Sequence, residues 1–74
     1  MFLAAQISIY PLRQPSLFPA INKALNIFRS YGLEVTTGAM SSLVSGDAEA
    51  LFAGIKEAFK ETAEQGEVVM SITL

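Results

Sequence analysis

Residues 2–10 (FLAAQISIY) alternate with a period of two. Leu3, Ala5, Ile7 and Ile9 share one face of a strand, and Phe2, Ala4, Gln6, Ser8 and Tyr10 share the other. Pro11 cannot donate to a ladder, so the strand is expected to end there, and PLRQPS (11–16) reads as a loop. From Ser16, a suitable N-cap, the period changes. Leu17, Ile21, Ala24, Leu25 and Phe28 recur every three or four residues and form one apolar helical face, with Pro19 confined to the first turn. Tyr31-Gly32 closes this helix, glycine being suited to the left-handed C-terminal position.

LEVTT (33–37) predicts a second strand, Gly38-Ala39-Met40 a turn, and SSLVS (41–45) a short third strand. Gly46-Asp47 starts a second helix, with Asp47 as its cap and Glu49 in the first turn, where the helix dipole favours an acid. Its buried stripe is expected to be Leu51, Phe52, Ile55, Ala58, Phe59 and Thr62. Lys56, Glu57, Lys60, Glu61 and Glu64 fall on the wet side, and Gln65-Gly66 ends the helix. EVVMSITL (67–74) alternates again as a fourth strand. The order β-α-β-β-α-β predicts a single α+β domain over residues 1–74. Its class is a ferredoxin-like two-layer sandwich, with a four-stranded antiparallel sheet carrying both helices on one face.

That architecture leaves the other sheet face bare. With Leu3, Ala5, Ile7 and Ile9 turned to the helices, the bare face is expected to carry Gln6, Ser8, Tyr10, Ser71 and Thr73, neutral groups that hydrogen-bond in either direction. Two readings follow, and they are compatible: a face that packs on another subunit, or a pocket for a small neutral or weakly cationic molecule.

Composition narrows the chemistry. The 74 residues include no Cys and no His, which removes disulfides, thiolate zinc sites, cysteine nucleophiles and the commonest general base. The net charge of −2 argues against a nucleic-acid partner. Apart from Glu34 and Glu67, every acid lies on or at the start of the second helix. No pair is set for acid–base work, so the expectation is a protein that is not an enzyme. No apolar run approaches the roughly 20 residues that span a bilayer, and no targeting signal is seen, so a soluble cytoplasmic protein is expected. A core of about 70 residues seldom supplies more than about 3–5 kcal/mol, which points to self-association.

ISIYPL (7–12), GLEVTTGAMSSLVSGDAEALF (32–52) and EVVMSITL (67–74) resemble a repeat of the YkoF-like thiamine/hydroxymethylpyrimidine-binding family and the related single-domain MTH1187-like proteins. The resemblance covers nearly the whole chain. It implies a non-catalytic domain that binds thiamine or its hydroxymethylpyrimidine moiety in thiamine salvage or transport. It also implies assembly as a homodimer or homotetramer and a possible thiamine-precursor transporter as partner; no cofactor and no metal are expected. An aminopyrimidine needs a flat, polarizable surface, which Tyr10 and Met40 can supply, and polar groups at its rim, which Gln6, Ser8, Thr37, Ser41 and Ser42 can supply. Arg13, Lys23, Arg29, Lys56 and Lys60 are scattered, so an unphosphorylated ligand is preferred over the diphosphate.

Each of these residues also has a plain structural role. Tyr10 can serve a subunit contact, Met40 the core, Ser41 and Ser42 the turn, and Thr36 and Thr37 the strand. An ACT-like regulatory or oligomerisation domain of the same topology is the competing function.

Overall fold

The computed structural model describes residues 1–13, 16, 18–39 and 41–74. The elements run β1 (Phe2–Leu12), α1 (Phe18–Ser30), β2 (Glu34–Thr37), β3 (Ser42–Asp47), α2 (Ala48–Ala63) and β4 (Glu67–Thr73). The strands form one antiparallel sheet in the order β2-β3-β1-β4. This is the ferredoxin-like α+β sandwich expected from the hydrophobic pattern. Leu17 and Met40 lie outside the described residues.

The period-two reading of β1 holds. Ala5 and Ile7 are buried beneath the helices, and Leu3 and Ile9 are partly buried against the same core. Opposite them in the register, Val44 and Ile72 fall on the same inner face. Phe28 of α1, Leu51 of α2 and Val44 of β3 are fully buried and join the two layers.

Both helix boundaries have local causes. Gly32, at φ 77°, terminates α1. The Leu33 N–H donates to the Phe28 carbonyl at 3.3 Å and the Gly32 N–H to the Arg29 carbonyl at 3.0 Å, the pair of bonds that defines a Schellman cap. The Asp47 carboxylate accepts from the Glu49 N–H at 3.1 Å and the Ala50 N–H at 3.4 Å, so two otherwise orphaned donors of α2 are satisfied.

Three expectations need correction. First, β1 does not stop at Pro11 but continues to Leu12, with Pro11 opposite Val68. The ladder explains why. In an antiparallel pair, opposed residues alternately exchange both main-chain bonds or none. Gly38 donates to the Ser41 carbonyl at 2.8 Å, which makes Thr36/Leu43 and Glu34/Ser45 the bonded pairs of β2–β3. Ser42, Val44 and Gly46 therefore turn their main-chain groups to Ile7, Ala5 and Leu3. The Ala48 N–H, bonded to the Met1 carbonyl at 2.8 Å, keeps the same parity. Odd residues of β1 thus face β3, and β3 ends opposite Ile7. Among the described residues, Pro11 faces a side with no strand on it, so its missing N–H breaks no ladder bond.

Second, the buried stripe of α2 is Leu51, Gly54, Ala58 and Thr62. Phe52 and Phe59, expected inside, are 52% and 45% exposed. Small residues face the sheet and α1 because the helices approach closely: a Cβ on Gly54 would lie 3.3 Å from Leu33 and 3.4 Å from Phe28. The larger aromatic rings are left on the flank. Third, the bare sheet face is less polar than expected. It carries Gln6, Ser8, Tyr10, Ser71 and Thr73, but the register adds Phe2, Leu12, Leu43 and Val69 to the same face. Four large apolar side chains therefore border the polar middle.

Because Phe28 touches both layers, Phe28→Ala should cost about 3–5 kcal/mol, as much as a core of this size supplies. Far-ultraviolet circular dichroism at 25 °C should then show a largely unfolded chain, whereas a cooperative urea transition like that of the wild type would contradict the packing described.

Candidate functional site

Two hollows meet at the end of the sheet where β2 turns into β3. One lies between the sheet and α1. It has a volume of about 80 Å³ and is lined by Ile7, Ser8, Ile9, Ile21, Leu25, Phe28, Gly38, Ala39, Ser41 and Ser42. The other is a shallow groove of about 390 Å³ lined by Gln6, Thr36, Thr37, Gly38, Ser41 and Leu43. Gly38 and Ser41 belong to both.

The turn stands where it does because of one main-chain bond and one side-chain bond. The Gly38 N–H donates to the Ser41 carbonyl at 2.8 Å and closes the hairpin. Gln6 Nε2 donates to Ser41 Oγ at 2.9 Å, tying the turn to β1. A Cβ on Gly38 would come within 2.8 Å of the Ser41 carbonyl oxygen, so only glycine allows this closure without displacement.

The residues named from the sequence divide between these hollows. Gln6 and Thr37 line the groove, Ser8 and Ser42 the inner cavity, and Ser41 both. Tyr10 lines neither; it lies farther along β1, opposite Val69 and exposed. Met40 lies outside the described residues. The hydroxyl and amide groups are thus gathered at one end of the sheet but on both sides of it, rather than on a single concave patch. Sequence reading did not reach the apolar floor, Ile21, Leu25 and Phe28, as part of a site. Their helical spacing marked them as core, and a core stripe that also walls a cavity looks no different in sequence.

Among the described residues, the lining of both hollows carries no charged side chain. It offers donors and acceptors at its rim and hydrocarbon beneath, a combination that suits a neutral or weakly polar ring. A third groove, on the helix side, has a different character. Tyr31, Ala53, Lys56, Glu57, Lys60, Glu61 and Glu64 surround it, and the Tyr31 hydroxyl donates to Glu57 Oε1 at 3.0 Å. That hydrogen bond holds the Tyr31 phenol above its ordinary pKa of 10.0, with desolvation and the charges of Glu57 and Glu61 adding to the shift.

The sequence profile of the thiamine-binding protein family matches residues 5–74. The chain belongs to that family. Among relatives of this chain, the UPF0045 protein MJ1052 of Methanocaldococcus jannaschii is 31% identical over 70 residues, spanning 93% of this chain and 70% of that protein. The crystal structure of MJ1052 superposes with a TM-score of 0.88, covering 97% of this chain and 76% of that one. A candidate thiamine biosynthesis/salvage protein from Thermotoga maritima, 19% identical, shares the fold at a TM-score of 0.84 over 99% of this chain and 81% of that one. A domain of unknown function, DUF77, from Bacillus cereus, 23% identical, shares it at 0.81 over 97% and 72%.

Two measurements check this geometry. A double-mutant cycle on Gln6→Ala and Ser41→Ala, followed by urea unfolding, should give a coupling of about 0.5–1.5 kcal/mol, the usual net worth of one hydrogen bond. Strict additivity would mean that the Gln6–Ser41 contact does not form. The Tyr31 shift also has a defined sign. A phenol whose pKa is raised by folding contributes stability that is fully present below its unfolded value of 10.0. That contribution is lost as pH rises through the folded value. Stability should therefore fall above pH 10, and Tyr31→Phe should remove that part of the fall; an unchanged alkaline profile in the variant would contradict the bond.

Proposed function

We propose that this chain binds thiamine, or its hydroxymethylpyrimidine moiety, at the β2–β3 end of the sheet. It acts as a non-catalytic cytoplasmic protein in thiamine salvage or transport. The observation that carries the reading is the neutral hydroxyl-and-amide rim around Gly38 and Ser41 in a chain that belongs to the thiamine-binding protein family. An aminopyrimidine is flat, apolar on its faces and edged with donors and acceptors. It matches a hydrocarbon floor of Ile7, Leu25 and Phe28 beside Ser41 and Ser42. A diphosphate would meet no cation among the described lining residues, which favours the unphosphorylated ligand. The Thermotoga maritima protein of the same fold is a candidate thiamine biosynthesis/salvage protein, in keeping with this role.

Self-association as a homodimer or homotetramer belongs to the same reading. Phe2, Leu12, Leu43 and Val69 stand exposed on the bare sheet face. The outer edge of β4 shows no proline or lysine to block pairing. Light scattering on the eluted protein should return a multiple of the chain mass; a monomer at micromolar concentration would remove this part.

The ligand itself is tested by a thermal-shift screen backed by calorimetry, with thiamine, hydroxymethylpyrimidine, thiamine diphosphate and amino acids. At a hundredfold excess over Kd, the true ligand should stabilise the chain by about 2.7 kcal/mol. Thiamine or hydroxymethylpyrimidine should do so, and the diphosphate should bind more weakly. Stabilisation by amino acids alone would point to the ACT-like reading, and stabilisation by none would overturn ligand binding of either kind.

A further inference from the structure

The inner cavity draws its lining from two segments that the chain brings together. Ile7, Ser8 and Ile9 come from β1, and Gly38, Ala39, Ser41 and Ser42 come from the β2–β3 turn and the start of β3. Its shape therefore depends on how the turn is held against β1. Among the described residues, the last register pair between β1 and β3 is Ile7 with Ser42, so Gly38, Ala39 and Ser41 lie past that rung. The bond from the Gly38 N–H to the Ser41 carbonyl ties the turn to itself. Gln6 ties it to β1, with Nε2 donating to Ser41 Oγ at 2.9 Å. The register explains the reach. Gln6 lies opposite Leu43, and Ser41 comes two residues before Leu43, so Ser41 is the diagonal neighbour of Gln6 on the same face. That is the bare face: Gln6 alternates with the buried Ile7 and lines the shallow groove with Thr36 and Leu43. Its main chain is a firm anchor, paired with Leu43 on one side and Thr73 on the other.

We propose that Gln6 is a positioning residue for the inner cavity. From the opposite face of the sheet it holds the turn through Ser41, and so sets the affinity for a ring that it does not touch. This rests on the reading of the site given above and gives Gln6 a role other than contact at the ring's rim. The bond is exposed to water and contributes only modestly to folding. Its effect on binding arises differently: a wall already in place does not have to be ordered when the ligand arrives. The fit is sensitive to that wall, because the hollow of about 80 Å³ is smaller than the roughly 150 Å³ that encloses a benzene ring. The link needs one donor and one acceptor in either sense, since a serine hydroxyl does both. Gln6→Glu therefore keeps it, with the Ser41 O–H donating to the carboxylate, whereas Gln6→Leu removes it at similar side-chain length.

The experiment is calorimetry on the full chain with hydroxymethylpyrimidine, a neutral ring, and with thiamine. Gln6→Leu should bind hydroxymethylpyrimidine about two- to tenfold more weakly, the range expected of one hydrogen bond. Gln6→Glu should stay within about twofold of the wild type. In a Ser41→Ala background, Gln6→Leu should cause no further loss, because the partner through which Gln6 acts is gone. Without ligand, hydrogen exchange of the Gly38 amide should be faster in Gln6→Leu than in the wild type. Should Gln6→Leu fail to fold, Gln6→Thr, a good strand former too short to reach Ser41, takes its place. Wild-type affinity in the variant that lacks the link, or an equal loss with and without Ser41, would overturn the positioning role and leave the thiamine reading standing. No binding of either ligand to the wild type would overturn both.

Discussion

The structure turns on where one ladder ends. β1 runs to Leu12, but β3 pairs with it only as far as Ile7 opposite Ser42. Gln6 and Ile7 are the positions of β1 with strand partners on both sides. Beyond Ile7, among the described residues, no strand pairs with β1 on the β3 side, and the Gly38 N–H donates to the Ser41 carbonyl. The tolerance of Pro11 within a strand follows from this mismatch in strand length. Gln6 then fixes the turn against β1 through Ser41, so the polar rim is held by a hydrogen bond as well as by the hairpin.

Packing sets the rest of the site. Phe28 is fully buried and anchors α1 to the sheet, and the same side chain floors the cavity with Leu25 and Ile21. Stability and the candidate site therefore draw on one set of residues, which is common in a domain too small to separate them. The close approach of the helices at Gly54 also moves the large rings of α2, Phe52 and Phe59, to its flank. Together with the apolar border of the bare sheet face, those rings leave more hydrocarbon in water than a small monomer would ordinarily show.

The fold was legible from residues with strong local preferences. The alternation of Leu3, Ala5, Ile7 and Ile9, the cap at Asp47 and the glycine after Tyr31 each act over a few positions, and each forms as expected. Pro11 misled because its effect depends on whether a neighbouring strand reaches it, and strand length on the far side is not written locally. Phe52 and Phe59 misled because a helical stripe read from hydrophobicity favours the largest side chains, whereas the helix–helix distance selected Gly54 and Ala58. The site was legible in part. Gln6, Ser41 and Ser42 stand out as neutral polar groups near a turn and do line the hollows.

A crystal structure of the chain grown with hydroxymethylpyrimidine tests the central claim most directly. Electron density for the ring should lie at the β2–β3 end of the sheet, bounded by Ser41, Ser42 and Phe28. Density on the charged groove of α2, or an empty cavity at a ligand concentration well above the measured affinity, would contradict the account.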